Sequence, residues 1–252
     1  MLNKETDMTE QRLLVIIPIS EAGARPFIEA FKREIEPIRD PNVHVDYQAL
    51  GDRATPFIQS RAAELWDGRD IARVALEAER DGYDGLFINC FGEPAVEAVK
   101  EIVDIPVVGG FAPAMMNAAM VSSRFSIVTV VSSVVPMLWD LARQWGMANH
   151  LASVRQAGIP VEKLDNKIEL QQALLAQSLS AIRDDQAEAI VLGCTGMLEV
   201  NQWLTDALED ELGRYVPVVA PVGAAIGMLQ SLMSNRLRAS RITYEPPTEF
   251  PQ

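Results

Sequence analysis

Two apolar runs that each end in a cysteine impose the strongest constraint on how this chain folds. Residues 86–90 and 189–194 have the composition of strands buried on both faces, and each is followed by a glycine-bearing turn and a predicted helix. Their cysteines, Cys90 and Cys194, are the two cysteines of the 252-residue chain. Strands of this kind belong to parallel sheets covered by helices. The repeated unit therefore predicts two similar α/β halves.

The rest of the chain alternates in the same way between short β-rich runs and helical periodicity. Strands are predicted at residues 13–18, 43–47, 85–90, 105–109, 125–131, 151–156, 189–194 and 216–219. Helices are predicted at residues 21–36, 69–81, 94–103, 134–145, 167–184, from 197 onward, and at 222–235. Pro18 is expected to end the first strand, residues 1–11 to form a loose tail, and Thr55-Pro56 to begin a turn and a helix in the ambiguous segment 52–68.

This order of elements predicts an α/β fold of two parallel-sheet lobes related by an approximate two-fold axis, with a site between them. We assign residues 12–111 plus 219–252 to the first lobe and residues 112–218 to the second. The final helix has no counterpart in the first half, and we expect it to pack back on the first lobe.

Composition excludes several classes of function. The formal net charge of −13 argues against a nucleic-acid partner, which requires a basic face. No apolar stretch reaches the roughly 18 residues that cross a bilayer, and the polar N-terminus is unlike a signal peptide. We therefore expect a cytoplasmic protein with reduced thiols and no membrane partner. His44 and His150 lack neighbouring ligands at metal-binding spacing, so we predict no metal.

The positions of the two cysteines suggest acid/base chemistry. In parallel sheets, ligands bind beyond the carboxyl ends of the strands, where both cysteines are predicted to lie. A helix N-terminus after each thiol would lower its pKa, and the N–H groups of Phe91, Gly92, Thr195 and Gly196 would hold a carboxylate or an enolate. One thiolate could then remove a proton next to a carbonyl while the other thiol returns one to the opposite face, without a cofactor.

Each candidate also has a structural interpretation. A lone cysteine is more often a small buried apolar residue, and it is the matched pair that favours function. Asn89 and Thr195 flank the thiols and serve either as turn residues or as substrate contacts. Other candidates for the cleft are Ser20 and Ser132, whose alternative role is helix capping, and Gly110 with Phe111, which is either core or substrate wall.

The motifs at residues 89–94, 106–109 and 192–197 resemble the aspartate/glutamate/hydantoin racemase superfamily, and residues 124–129 and 153–161 resemble its hydantoin and allantoin racemase branch. The resemblance implies two flavodoxin-like lobes, cofactor-independent isomerisation by a cysteine pair that maps onto Cys90 and Cys194, and a homo-oligomer. The chain departs from the branch pattern at Ile19, Phe111 and Val130, which fall at expected substrate contacts.

The leading hypothesis is a racemase or epimerase that acts at a carbon next to a carbonyl. Its substrate would be a small hydantoin-like ring or an amino-acid-like carboxylate. The enzymatic alternatives are a related decarboxylase and a maleate-type cis–trans isomerase. The alternative from another class is a two-lobed protein that binds a small molecule without catalysis.

Overall fold

Two four-stranded parallel sheets, one from each half of the chain, form the framework of the protein. The structure is a computed structural model and describes residues 10–248. The first sheet contains β1 (Gln11–Ser20), β2 (Val43–Leu50), β3 (Gly85–Ile88) and β4 (Val107–Val108). The second contains β5 (Phe125–Thr129), β6 (Leu151–Gln156), β7 (Ala189–Leu192) and β8 (Val218–Val219).

The two sheets have the same topology. Their strand orders are β2-β1-β3-β4 and β6-β5-β7-β8, the order with which a flavodoxin-like sheet begins. The central pairs correspond as well, since Leu13 pairs with Gly85 in the first sheet and Phe125 pairs with Ala189 in the second. The predicted α/β fold with two similar parallel sheets is confirmed.

Helices cover both sheets. Those of the first half are α1 (Glu21–Ile35), α2 (Arg61–Arg80), α3 (Val96–Ile102) and α4 (Phe111–Val121). Those of the second half are α5 (Val135–Gln144), α6 (Lys167–Asp184), α7 (Asn201–Leu212) and α8 (Pro221–Ser234). Within residues 10–248, every helix is too short or too polar to cross a lipid bilayer.

Two helices pack on the sheet that does not immediately precede them. Ile226 and Leu229 of α8 share a buried cluster with Leu13 of β1 and Phe87 of β3. Phe111 and Met115 of α4 are buried with Phe125 and Ile127 of β5. This packing agrees with the proposed assignment of residues 112–218 to one lobe and of the C-terminal segment to the other, which stays a proposal.

Several predicted boundaries need correction. Pro18 does not end β1; the strand continues to Ser20, and its pairing with β2 skips a step between Ile17 and Ser20, because proline has no N–H to donate. The helix predicted at 69–81 is the second half of α2, which starts at Arg61 with Ser60 as its N-cap. Of the predicted tail 1–11, residues 1–9 lie outside the described residues and Gln11 belongs to β1.

Candidate active site

The two cysteines occupy equivalent positions in the two sheets. Cys90 is the second residue after Ile88, where β3 ends, and Cys194 is the second residue after Leu192, where β7 ends. Their turns touch each other, since the Thr195 hydroxyl donates a hydrogen bond to the Asn89 carbonyl over 3.2 Å. The carboxyl ends of the two sheets therefore face each other with one cysteine on each side.

Two small chambers border the cysteines. The first, which we call the Asn89 chamber, has a volume of about 60 Å³, and the second, the Glu64 chamber, about 40 Å³. Both are lined by Cys90, Cys194, Thr195 and Ile58, so they adjoin along the cysteine pair. Apolar side chains form most of the walls. They include Ile17, Phe27, Phe57 and Val161 in the Asn89 chamber and Phe91, Val134, Met137 and Leu138 in the Glu64 chamber.

The loop formed by residues 51–60, which we call the bridging loop, covers the chambers from the first lobe. Its Gln59 side chain donates to Glu162 over 3.0 Å and accepts from the Val161 N–H over 3.3 Å. The Gln59 carbonyl accepts from the Ser133 hydroxyl over 2.9 Å. The base of the loop is held by Asp67, which is fully buried and accepts from the Thr55 N–H over 3.0 Å. The loop thus connects the two lobes across the opening.

Burial has the largest effect on the pKa of each thiol. Burial raises the pKa of Cys90 above its ordinary value, against the effect of the Gly92 N–H, and a charge on Cys194 raises it further. Burial also raises the pKa of Cys194, to about 11, while the N–H groups of Gly196 and Met197 oppose the rise. The Gly196 N–H lies 3.4 Å from Cys194 Sγ. The expected lowering by helix N-termini is wrong in this structure, because α3 and α7 begin only at Val96 and Asn201.

Two polar side chains that line the chambers have no hydrogen-bond partner in the part of the chain that the structure describes. Asn89 is 4% exposed, and neither its amide nitrogen nor its amide oxygen has a hydrogen-bond partner among residues 10–248. Oε1 of Glu64 on α2 is buried and also lacks a partner among these residues. Burial of such groups is costly unless a ligand or water satisfies them. Both therefore indicate where polar groups of a ligand would bind.

The comparisons with known proteins agree with this geometry. A family model described as Asp/Glu/Hydantoin racemase matches residues 21–229. The chain belongs to this family. The hydantoin racemase of Paenarthrobacter aurescens is 38% identical over 182 residues, covering 71% of this chain and 73% of the relative.

Solved structures extend the likeness to nearly the whole chain. The allantoin racemase from Klebsiella pneumoniae superposes with a TM-score of 0.85 at 29% identity and covers 95% of each chain. The allantoin racemase from Pseudomonas fluorescens superposes with a TM-score of 0.86 at 25% identity, covering 96% of this chain and 99% of that one. The predicted family and its hydantoin/allantoin branch are confirmed, and the matches support an isomerase of the racemase class.

In this racemase-family protein, five of the nine predicted substrate contacts line a chamber. Asn89 and Gly196 face the Asn89 chamber, Phe91 and Gly92 face the Glu64 chamber, and Thr195 faces both. Their role as substrate contacts stays a prediction. The N–H groups of Gly92 and Gly196 point to the thiols, so they support a thiolate where a bound substrate oxygen was expected.

The other four predicted contacts lie elsewhere, each for a physical reason. Ser20 caps α1 by accepting from the Gly23 N–H, and Ser132 is exposed at the start of the turn before α5. Phe111 is fully buried, and its ring packs edge-on against that of Phe91 with 5.3 Å between the ring centroids, so Phe111 belongs to the core. Gly110 lies between the two turns, where a Cβ would come within 3.0 Å of the Thr195 methyl group.

Sequence reasoning missed Glu64 and the bridging-loop residues Phe57 and Ile58. A signal for Glu64 was present, because Ser60 followed by Arg-Ala-Ala-Glu-Leu is a typical helix start and places Glu64 in the first turns of α2. No sequence pattern marks Phe57 and Ile58. Of the three departures from the branch pattern, Ile19 and Val130 do line the chambers and make them more apolar.

A larger cavity lies away from the cysteines. It has a volume of about 370 Å³ beside β4, between α4 and α8, and its lining includes Trp145 and Tyr244. Neither cysteine contributes to it, so volume alone does not locate the site in this protein. Among the described residues, no group of three histidine, cysteine or acidic side chains is arranged to hold a metal ion.

Proposed function

We propose that the protein is a cofactor-independent racemase that inverts a carbon next to the carbonyl group of a hydantoin-like ring, with Cys90 and Cys194 as its two acid/base groups. One observation carries the proposal: the two thiols come from equivalent strand ends of opposite lobes and border the same pair of chambers. A carbon held between them would present one face to each sulfur.

The reaction needs a thiolate on one side and a thiol on the other. The thiolate takes the proton from the carbon, and the electron pair of the broken C–H bond moves toward the carbonyl to form an enolate. The opposite thiol then gives its proton to the other face of the carbon, and the electron pair returns to form the new C–H bond. The two cysteines end with exchanged protonation states, so the reverse reaction starts from the other one.

The electrostatics of the site suit such a pair. Burial raises the pKa of Cys90, and a negative charge on Cys194 raises it further. When one sulfur is ionised, the other therefore keeps its proton, as two like charges in one site disfavour each other. The N–H groups that approach each sulfur stabilise whichever thiolate forms.

The chamber walls favour a neutral ring over an amino acid. Among the described residues that line the two chambers there is no lysine or arginine, so a substrate carboxylate would be buried without a cationic partner. Asn89 instead offers its amide NH2 group as a donor and its amide oxygen as an acceptor, neither of which is used by the described residues. A ring amide, whose carbonyl and N–H lie side by side, would satisfy both at once.

The proposal is tested with single enantiomers of 5-substituted hydantoins in D₂O. The wild type should place deuterium at the stereocentre of the inverted product. Cys90→Ser and Cys194→Ser should each lower the rate of inversion by roughly 100-fold or more in both directions, because every inversion uses both groups. Each variant should still exchange the proton of one enantiomer, and the two variants should prefer opposite enantiomers. Proton NMR and chiral chromatography report the two processes separately.

Other outcomes identify the alternatives. Inversion retained in one variant would indicate a single-base enzyme, and full activity in either variant would overturn the two-cysteine mechanism. Release of carbon dioxide or cis–trans isomerisation of a dicarboxylate would support the decarboxylase or the maleate-type enzyme. Ligand binding with neither exchange nor inversion would support a non-catalytic binding protein. Ser132→Ala, at an exposed position outside the chambers, is the control for expression and folding.

A further inference from the structure

Glu64 has a position that the proposed proton transfers do not use. It is the one charged side chain among the described residues that line the Glu64 chamber, whose other walls are largely apolar. Its buried Oε1 has no hydrogen-bond partner within the described part of the chain. The same oxygen occupies the space where a Cβ of Gly92 would lie, and that point is 3.8 Å from Cys90 Sγ. The carboxyl group therefore lies beside the reacting thiol.

The two chambers divide a bound substrate into two parts. Because the chambers adjoin along Cys90 and Cys194, a stereocentre between the sulfurs would have one chamber on each side. If the ring amide binds Asn89, the ring occupies the Asn89 chamber. The substituent at the stereocentre then extends into the Glu64 chamber and ends next to the carboxyl group.

We propose that Glu64 is a specificity-determining residue that binds an N–H donor on the substituent at the stereocentre, so that the site prefers ureido-type substituents to purely apolar ones. The inference rests on the proposed function. A ureido group carries two N–H donors that point in the same direction, and they match the two oxygens of a carboxylate. Hydrogen bonds from these donors to Glu64 would satisfy Oε1. An alkyl group of the same size fits the apolar walls but leaves the carboxyl group unpartnered.

The electrostatics of Glu64 are consistent with this role. Burial raises the pKa of its carboxyl group to about 7, and Arg61 on the same helix partly opposes the rise. A ligand that donates N–H hydrogen bonds would stabilise the carboxylate and relieve that cost. Arg61 itself is paired with Asp140 of α5, so it remains outside the chamber.

The test compares two substrates of similar size, allantoin, which carries a ureido group, and 5-isobutylhydantoin, which carries an alkyl group. In Glu64→Leu, kcat/KM for allantoin should fall roughly 10- to 100-fold, the loss expected for a hydrogen bond to a charged group, while the value for 5-isobutylhydantoin stays equal or rises. Glu64→Gln preserves the shape of the side chain and should show a smaller loss in the same direction. Glu209→Leu, an exposed position on α7, is the matched control.

Binding measured by calorimetry separates this inference from the reaction itself. The ratio of the two dissociation constants should favour allantoin in the wild type and should lose that preference in Glu64→Leu. An equal change for both substrates in kcat/KM and in affinity would overturn the inference, because it would show a structural role for Glu64. Glu64-dependent discrimination in binding without any racemisation would uphold the inference and overturn the proposed reaction.

Discussion

At the residue scale, burial is the main influence on the protonation of Cys90, Cys194 and Glu64. The cysteine turns supply N–H groups from Gly92 and Gly196, but burial outweighs them and the pKa of each thiol is raised. The same enclosure acts on Glu64, whose pKa is raised to about 7. These three groups, which line the chambers, therefore hold their protons more tightly than they would in water.

Replacement of Glu64 should change the pH dependence of stability. A folded-state pKa of about 7, against 4.5 for the free carboxyl group, means that the folded protein binds more protons between these pH values. Stability contributed by this group is thus present below about pH 4.5 and is lost as the pH rises to about 7. Glu64→Gln removes the ionisation. The difference in melting temperature, variant minus wild type, should therefore be larger at pH 8 than at pH 5.

For a protein of this size, the melting temperature should rise by about 2–4 °C for each kcal/mol by which the ionisation of Glu64 destabilises the wild type. Thermal unfolding followed by circular dichroism at the two pH values measures it. The groups that titrate beside Glu64 are the thiols of Cys90 and Cys194, with Arg61 as the nearby cation, and all are unchanged in the variant. Glu209→Gln is the control. The prediction would be contradicted if Glu64→Gln differed from wild type by the same melting temperature at both pH values.

At the element scale, the bridging loop connects regular structure in both lobes. It begins after β2, is anchored on α2 through Thr55 and Asp67, and reaches the second lobe through Gln59. Its Phe57 and Ile58 line the Asn89 chamber together with both thiols. We therefore expect access to the thiols to depend on how firmly this loop is held.

Loss of the Gln59 side chain should make the thiols more accessible. Gln59→Ala removes the bonds to Glu162 and to the Val161 N–H while the backbone carbonyl still accepts from Ser133. We expect the alkylation of Cys90 and Cys194 by iodoacetamide to become several-fold faster at a fixed pH. Mass spectrometry of time points quantifies each site. Gln144→Ala, an exposed position on α5, should leave both rates unchanged, and equal rates in Gln59→Ala and wild type would show that the loop does not limit access.

At the scale of the whole molecule, the C-terminal helix returns to the first sheet. Leu229 of α8 is fully buried against β1 and β3, whereas Leu174 of α6 is fully buried in the cluster of the second lobe. Leu229 and Leu174 therefore lie in separate buried clusters, and the cluster that contains Leu13 of β1 and Phe87 of β3 is completed by α8. A homo-oligomer, which the sequence resemblance implies, stays a proposal.

Mutations in the two cores should affect different lobes. Leu229→Ala and Leu174→Ala should each destabilise by roughly 2–5 kcal/mol, as for other buried leucines. By hydrogen exchange, Leu229→Ala should weaken protection mainly in β1 and β3, and Leu174→Ala mainly in β5 and β7. The same loss of protection throughout the molecule in both variants would show that the lobes unfold as one unit, against the proposed division at residues 112–218.

The sequence by itself determined the repeated architecture, the family and the positions of the two cysteines at strand ends. These features depend on local patterns, since apolar runs, turn residues and helical periodicity are encoded within short segments. α6 was predicted with its observed bounds for this reason, and the turns after residues 88 and 192 were located to within two residues. Pro18 and the start of α2 were misjudged because pairing with β2 and capping by Ser60 outweigh the local signal at Pro18 and Thr55-Pro56.

Only the tertiary structure decided what surrounds the thiols. Glu64 and Asn89 are ordinary polar residues in the sequence. They become significant because packing buries Glu64 Oε1 and the Asn89 amide beside the cysteines, with no hydrogen-bond partner among residues 10–248. Phe111 and Ser20 were both candidates for the cleft with a structural alternative, and their contacts place one in the core and the other at a helix cap. The raised pKa of each thiol has the same origin, because desolvation depends on atoms brought together from distant parts of the chain.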